Sequence, residues 1–156
     1  MAKTDTKLSG SKTKQYYQAV GRRRESNAQV RLYPLSEKKT VSLYGQMLKP
    51  GDFLVNKKDV SDYFPGEVNK ILYREPFRVT KSLSDYAVSV VVSGGGKRGQ
   101  LGAVVHGISR ALDDSNPDYH SFLKQGGLLT RDPRVKERRK AGLAHKARAK
   151  KSSPKR

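Results

Sequence analysis

Residues 86–112 read YAVSVVVSGGGKRGQLGAVVHGISRAL, and this stretch decides the fold. In residues 86–93, Tyr86, Val88, Val90 and Val92 fall on one face, and Ala87, Ser89, Val91 and Ser93 on the other. That is the two-residue period of a β-strand, and the β-branched content supports it. Six residues later the period changes. Leu101, Val104, Val105, Ile108, Ala111 and Leu112 recur at helical spacing and predict an α-helix over residues 100–112 with one broad apolar stripe. A strand, a glycine-rich turn and a helix therefore form the centre of an α+β domain.

Outward from this centre the signals weaken. Ala28, Val30 and Leu32 alternate with Gln29 and Arg31, predicting a strand over residues 28–32. A second strand is expected over residues 40–44, pairing with the first as a hairpin across the turn at 34–39. Residues 45–58 contain Pro50-Gly51 and read as a loop. Asp59 or Ser61 is placed to cap a short helix over 60–64 that Pro65-Gly66 ends. A further helix is expected over 67–73, stopped by Pro76, with a strand beginning at 77–80. Residues 117–124 read as a last helix, closed by Gly126-Gly127.

The chain has 156 residues, and its formal net charge is +19. That excess points to a polyanionic partner. Its distribution is informative: residues 1–24 hold seven Lys/Arg against Asp5, and residues 131–156 hold twelve against Asp132 and Glu137. The stretch between is close to neutral. The composition thus divides the chain into a basic, disordered leader over residues 1–14, a globular core over 15–130, and an extended basic tail over 131–156. Apart from Val135 and Leu143 the tail lacks large aliphatic residues, and no aromatic follows Phe122, so this segment needs a partner to order it. Residues 134–141 have the composition for a turn or two of helix, whereas Gly142 and Ser152-Ser153-Pro154 favour extension. There is no cysteine, no run of the roughly 18 apolar residues a membrane span needs, and no apolar signal segment at the start, so a cytoplasmic protein is the default.

Three features invite functional readings. Gly94, Gly96 and Gly99 match G-x-G-x-x-G between a strand and a helix, the context of a dinucleotide loop. However, residues 113–118 are a polar turn where that fold needs a strand presenting an acid. Gln100 and Leu101 also stand where a Walker loop needs Lys and Ser/Thr. Lys97 and Arg98 suit a phosphate backbone better, with a bare structural turn as the alternative. Arg22, Arg23 and Arg24 form a cationic cluster after Gly21, readable as a phosphate clamp or as a solvated run. In the tail, Arg131, Arg134, Arg138, Arg139, Lys140, Lys146 and Arg148 are expected to contact RNA by charge and by bidentate arginine pairing, with a floppy solubilising tail as the alternative. His106, His120 and His145 lack metal-site spacing, and His106 is expected on the helix surface away from the apolar stripe. No cofactor, metal or catalytic constellation is expected. A glycine-loop phosphotransferase and a free nucleic-acid chaperone remain as rivals; the first requires a nucleotide pocket and a base, neither of which is visible.

These residues also carry a resemblance. The string from Gly21-Arg22-Arg23-Arg24-Glu25-Ser26-Asn27 to Leu32 resembles the opening signature of ribosomal protein nine of the small subunit. Gly94-Gly95-Gly96 with Gly99-Gln100, Gly102-Ala103 and His106-Gly107-Ile108 resembles its second. Leu129-Thr130-Arg131-Asp132 with Glu137-Arg138-Arg139-Lys140 resembles its third, and the chain ends in Lys155-Arg156 as bacterial members do. The resemblance implies an α+β (α/β sandwich) core like the second domain of ribosomal protein five, a four-stranded sheet with helices on one face. It implies partnership with small-subunit ribosomal RNA and neighbouring proteins of the subunit head, with no membrane association and no homo-oligomer. It further implies a tail whose Lys155 and Arg156 reach P-site tRNA. Where family members carry an aromatic shortly before the last residues, this chain reads Ser152-Ser153-Pro154.

Overall fold

The structure, a computed structural model, describes residues 16–35 and 40–149. Its centre is a mixed sheet in the order β1-β2-β7-β5-β6, accompanied by a separate two-stranded hairpin, β3-β4. The strands are β1 (Tyr17–Arg23), β2 (Ser26–Pro34), β3 (Val41–Leu43), β4 (Gln46–Leu48), β5 (Phe53–Val55), β6 (Lys58–Asp59) and β7 (Tyr86–Ser93). The helices are α1 (Val60–Tyr63), α2 (Glu67–Thr80), α3 (Lys97–Ser115) and α4 (Tyr119–Gln125).

The β7–α3 unit lies where the sequence puts it, and β7 keeps the expected faces. Tyr86, Val88, Val90 and Val92 are buried in the main core, together with Ala28, Val30 and Leu32 of β2. Opposite residues of β2 and β7 are in antiparallel register, with Ala28 beside Val92 and Val30 beside Val90. All four helices add side chains to this cluster, among them Val60, Phe77, Ile108 and Leu123, so they cover one face of the sheet. At one end of the other face, the β3-β4 hairpin lays Leu48 against Tyr33, Leu35, Leu54 and Ala87.

Several expectations are corrected. The partner of β2 is not the strand at 41–43 but β1, through a turn at Arg24-Glu25 in which Arg24 adopts φ 51°. Gly21, Arg22 and Arg23 are therefore inside a strand rather than ahead of one. The inward positions of β1 are Tyr17, Ala19 and Gly21, small after the first, and so carry little apolar signal. The supposed loop at 45–58 supplies β4, β5 and β6. β5 is three buried residues running parallel to β7, and Asn56 and Lys57 then turn back with positive φ at both positions. That turn adds two-residue β6, giving five strands in the sheet where the resemblance implied four.

Pro76 does not stop α2, and no strand begins at 77. Tyr73 and Phe77, one turn apart, are both buried, and Tyr73 meets Phe53 edge-to-face at 5.4 Å between ring centroids. That burial outweighs the single backbone donor proline removes, and the carbonyl so released lies on Leu72, at the exposed side of the helix. The helix ends at Lys81, in the left-handed region, with its N–H donating to the Phe77 carbonyl. Asp59 caps α1 as expected, its carboxylate accepting from the Ser61 N–H at 2.7 Å.

Candidate nucleic-acid interface

The site is built on the contact between α3 and β1. Gly21 of β1 lies directly beneath α3, where a Cβ would overlap the carbonyl of Ala103; a Cβ on Gly107 would in turn meet Val30 at 2.6 Å. The glycine loop serves the same close approach. A side chain at Gly94 would run into the Glu25 carbonyl, and one at Gly99 into Ser26 Oγ at 2.7 Å. Gly94 and Gly95 have φ of 71° and 60°, a region that favours glycine. Gly94, Gly95 and Gly99 thus seat the first turn of α3 on the β1–β2 turn, whereas Gly96, the middle glycine of the G-x-G-x-x-G match, has open space around it.

Lys97 and Arg98 belong to that first helical turn, not to a loop, and no acid accompanies them there. Their charges add to the positive end of the helix dipole. Lys97 is held back against the body: its ammonium is 3.2 Å from the centroid of the Tyr63 ring and 3.4 Å from the Tyr63 carbonyl. Arg98 is exposed.

The fold brings Arg22, Arg23 and Arg98 together around a cleft of about 350 Å³. A second cleft beside it is lined by Arg22, His106, Arg110 and Arg131. Arg24 stands at the exposed β1–β2 turn. The sequence did not bring Arg110 and His106 to Arg22; β1 does. Arg110 donates to the Val20 carbonyl at 2.7 Å, and the Arg22 N–H donates to His106 Nδ1 at 3.4 Å. His106 is half-buried rather than on an open surface. Its ring also hydrogen-bonds the Leu129 backbone, tying β1, α3 and the start of the tail together. Burial pushes its pKa below the ordinary value, and the nearby Arg110 adds to the shift. A ring that accepts at Nδ1 is neutral. The signal for His106 was its place one helical turn from Gly102 and Arg110, which becomes legible only once β1 is known to lie there.

Leaving the core after Leu128 and Leu129, which pack against it, the chain meets a second tie. Asp132 accepts from Arg23 Nη2 at 3.3 Å and from Arg134 Nε and Nη2 at 2.9 and 2.8 Å. The Arg134 hydrogen bonds come first in holding the Asp132 carboxyl far below the usual carboxylate range. Beyond it, residues 131–149 form neither helix nor strand, and Arg138, Arg139 and Lys140 are exposed. The Lys140 N–H donates to the Lys146 carbonyl at 3.1 Å, closing a small loop around Gly142. Arg148 returns to Glu137 at 2.9 Å. Arg134 and Arg148 are thus paired within the chain, while Lys155 and Arg156 lie outside the described residues, as do residues 1–14.

Among the described residues no group of His, Asp and Glu is arranged to hold a metal, and no helix is long and apolar enough to cross a membrane. The fold and surface define a small basic α+β protein whose cations gather around one strand–helix junction and continue into a cationic segment after the last helix. The chain belongs to the family described as ribosomal protein S9/S16, whose model matches residues 21–156. It is similar to the small ribosomal subunit protein uS9 of Rickettsia peacockii (strain Rustic), at 51% identity over 92 residues covering 59% of this chain and 58% of that protein. The protein of the same name from Rickettsia felis (strain ATCC VR-1525 / URRWXCal2) is 52% identical over 92 residues, covering 59% and 57%. The matched stretch therefore spans less than two thirds of these relatives.

Proposed function

We propose that this protein is a structural constituent of the small ribosomal subunit, acting in the cytoplasm as part of the ribosome and performing no bond chemistry. The observation that carries this reading is the convergence of Arg22, Arg23, Arg98 and Arg131, from β1, α3 and the tail root, around two adjoining clefts. Charges distant in sequence and gathered on one side suit the crowded phosphates of folded ribosomal RNA. Family membership and the uS9 relatives support the same partner.

In this reading residues 15–130 anchor the protein, and the basic ends, 1–14 and 131–156, extend along RNA. Arg24, Lys97, Arg134, Arg138, Arg139, Lys140, Lys146 and Arg148 add ribosomal RNA contacts, and neighbouring proteins of the subunit head complete the surroundings. Lys155 and Arg156 touch P-site tRNA. The core is of the kind found in the second domain of ribosomal protein five. Packing of Gly94, Gly95 and Gly99 against Glu25 and Ser26 argues against a nucleotide between loop and sheet, and hence against the phosphotransferase reading. The test is sedimentation with small subunits after a high-salt wash. Retention supports the proposal; loss to the supernatant with the salt dependence of free polycations refutes it.

A further inference from the structure

The cleft beneath Arg22 and Arg23 has two chemistries. Its charged lining is Arg22 and Arg98, both exposed, with Arg23 paired to Asp132. Its apolar lining, here called the floor, is Leu101, Val105 and Leu128, with Leu72 39% exposed. A phosphate backbone would satisfy the charged lining and leave the floor open to water. The volume, about 350 Å³, lies within the range of small-ligand sites.

Arg23 is prepared for a planar partner. Its side chain lies against the bare backbone of Gly102, where a Cβ would come within 2.7 Å of Nη1. Asp132 holds the guanidinium from the side at 3.3 Å, and a third of the side chain (34%) remains accessible. A guanidinium fixed in this way loses little freedom when something stacks on it. The one aromatic ring among the described lining residues is His106, half-buried and already accepting from the Arg22 N–H, which leaves the Arg23 plane as the freer stacking surface, a role arginine planes fill in RNA recognition.

We infer that this cleft takes one unstacked nucleotide of single-stranded RNA, its base on the Leu101–Val105–Leu128 floor against Arg23 and its flanking phosphates at Arg22 and Arg98. The inference rests on the ribosomal RNA reading above and narrows it from a charged surface to a defined subsite. An apolar side chain of a protein neighbour would fill the floor equally well. It would also cover Arg22 and Arg98 without supplying counter-charge, since Asp132 is already engaged by Arg23 and Arg134, and that is costly. A nucleotide brings base and anion together.

The test is a methyl NMR titration of the full chain with uridine 5′-monophosphate and, separately, ribose 5-phosphate, read at Leu101, Val105 and Leu128. The nucleotide should shift these methyls and ribose 5-phosphate should not. Arg23→Lys keeps the charge and loses the plane, and should weaken the nucleotide by about threefold or more; Val105→Phe should abolish the shift at Leu128. Equal shifts with ribose 5-phosphate would make the cleft a plain anion site and overturn the inference. Shifts with a leucine-bearing peptide and none with the nucleotide would assign it to a protein side chain, with the same result. Silence to the nucleotide while the protein still sediments with small subunits would sink the subsite and leave the broader reading intact. Failure to bind any RNA would sink both.

Discussion

Gly21 of β1 and Gly107 of α3 face one another across the strand–helix junction, so closely that a Cβ on Gly107 would stand 3.1 Å from the Gly21 backbone nitrogen. Helix and strand meet here backbone to backbone, without an intervening layer of side chains. This closeness puts His106 within reach of the Arg22 N–H and gathers the arginines of β1 beside those of α3.

The glycines should therefore differ sharply in what they tolerate. Gly21→Ala places a methyl in the Ala103 carbonyl, where backbone must shift, and should cost on the order of 3 kcal/mol. Gly96→Ala, at an extended position with nothing within 4 Å, should cost no more than about 1 kcal/mol, for its weaker capping of α3. Urea unfolding of the two variants measures the contrast; equal losses would mean the junction is looser than described.

His106 should make stability depend on pH in a defined direction. Its folded pKa lies below the unfolded 6.5, so the unfolded chain binds more protons between the two values. The contribution is therefore complete above pH 6.5 and is lost as pH falls through the folded pKa. Thermal melts of the wild type and His106→Phe across pH 5–8 isolate it as their difference. That difference should shrink on acidification; an increase would contradict the neutral ring.

Lys97 and Arg98 are neighbours with separate tasks. Lys97→Ala removes a cation from the Tyr63 ring and should destabilise the free protein by about 0.5–1 kcal/mol, whereas Arg98→Ala should leave it unchanged. Both should weaken RNA binding by a similar factor. Unfolding curves of the free protein check the first half, and RNA titration in matched salt the second.

Asp132→Ala should free the root of the tail without altering the core. The expected outcome is an unchanged melting transition together with faster tryptic cleavage after Arg131 and Arg134, since Asp132 is what ties Arg134 to Arg23. Cleavage at the wild-type rate would show that Leu128 and Leu129 suffice.

Where periodicity was strong, the sequence disclosed the fold. Residues 86–93 form β7 end to end, and the apolar stripe of 100–112 lies in α3. The signal failed where packing overrides local pattern. β1 carries Ala19 and Gly21 inward because a helix lies on it, so its alternation is almost invisible. Helix α2 runs through Pro76 because Tyr73 and Phe77 need the same core. β5 is too short, at three residues, to show a period. For the site, the clusters of charge were legible as composition. Their convergence was not, since Arg22 meets Arg98 and Arg131 only through the β1–α3 contact. Asp132 looked like one of two acids diluted in a basic tail, and nothing in its neighbourhood announced Arg23 as a partner 109 residues away.

The Val20 carbonyl and the Arg22 N–H belong to the outermost strand of the sheet, and Arg110 and His106 already occupy them. A strand arriving from another molecule would find one acceptor and one donor of this border already spoken for, at alternate residues. Sheet extension by β-addition is thereby handicapped at residues 20–22 by side chains of the very helix that lies on the strand.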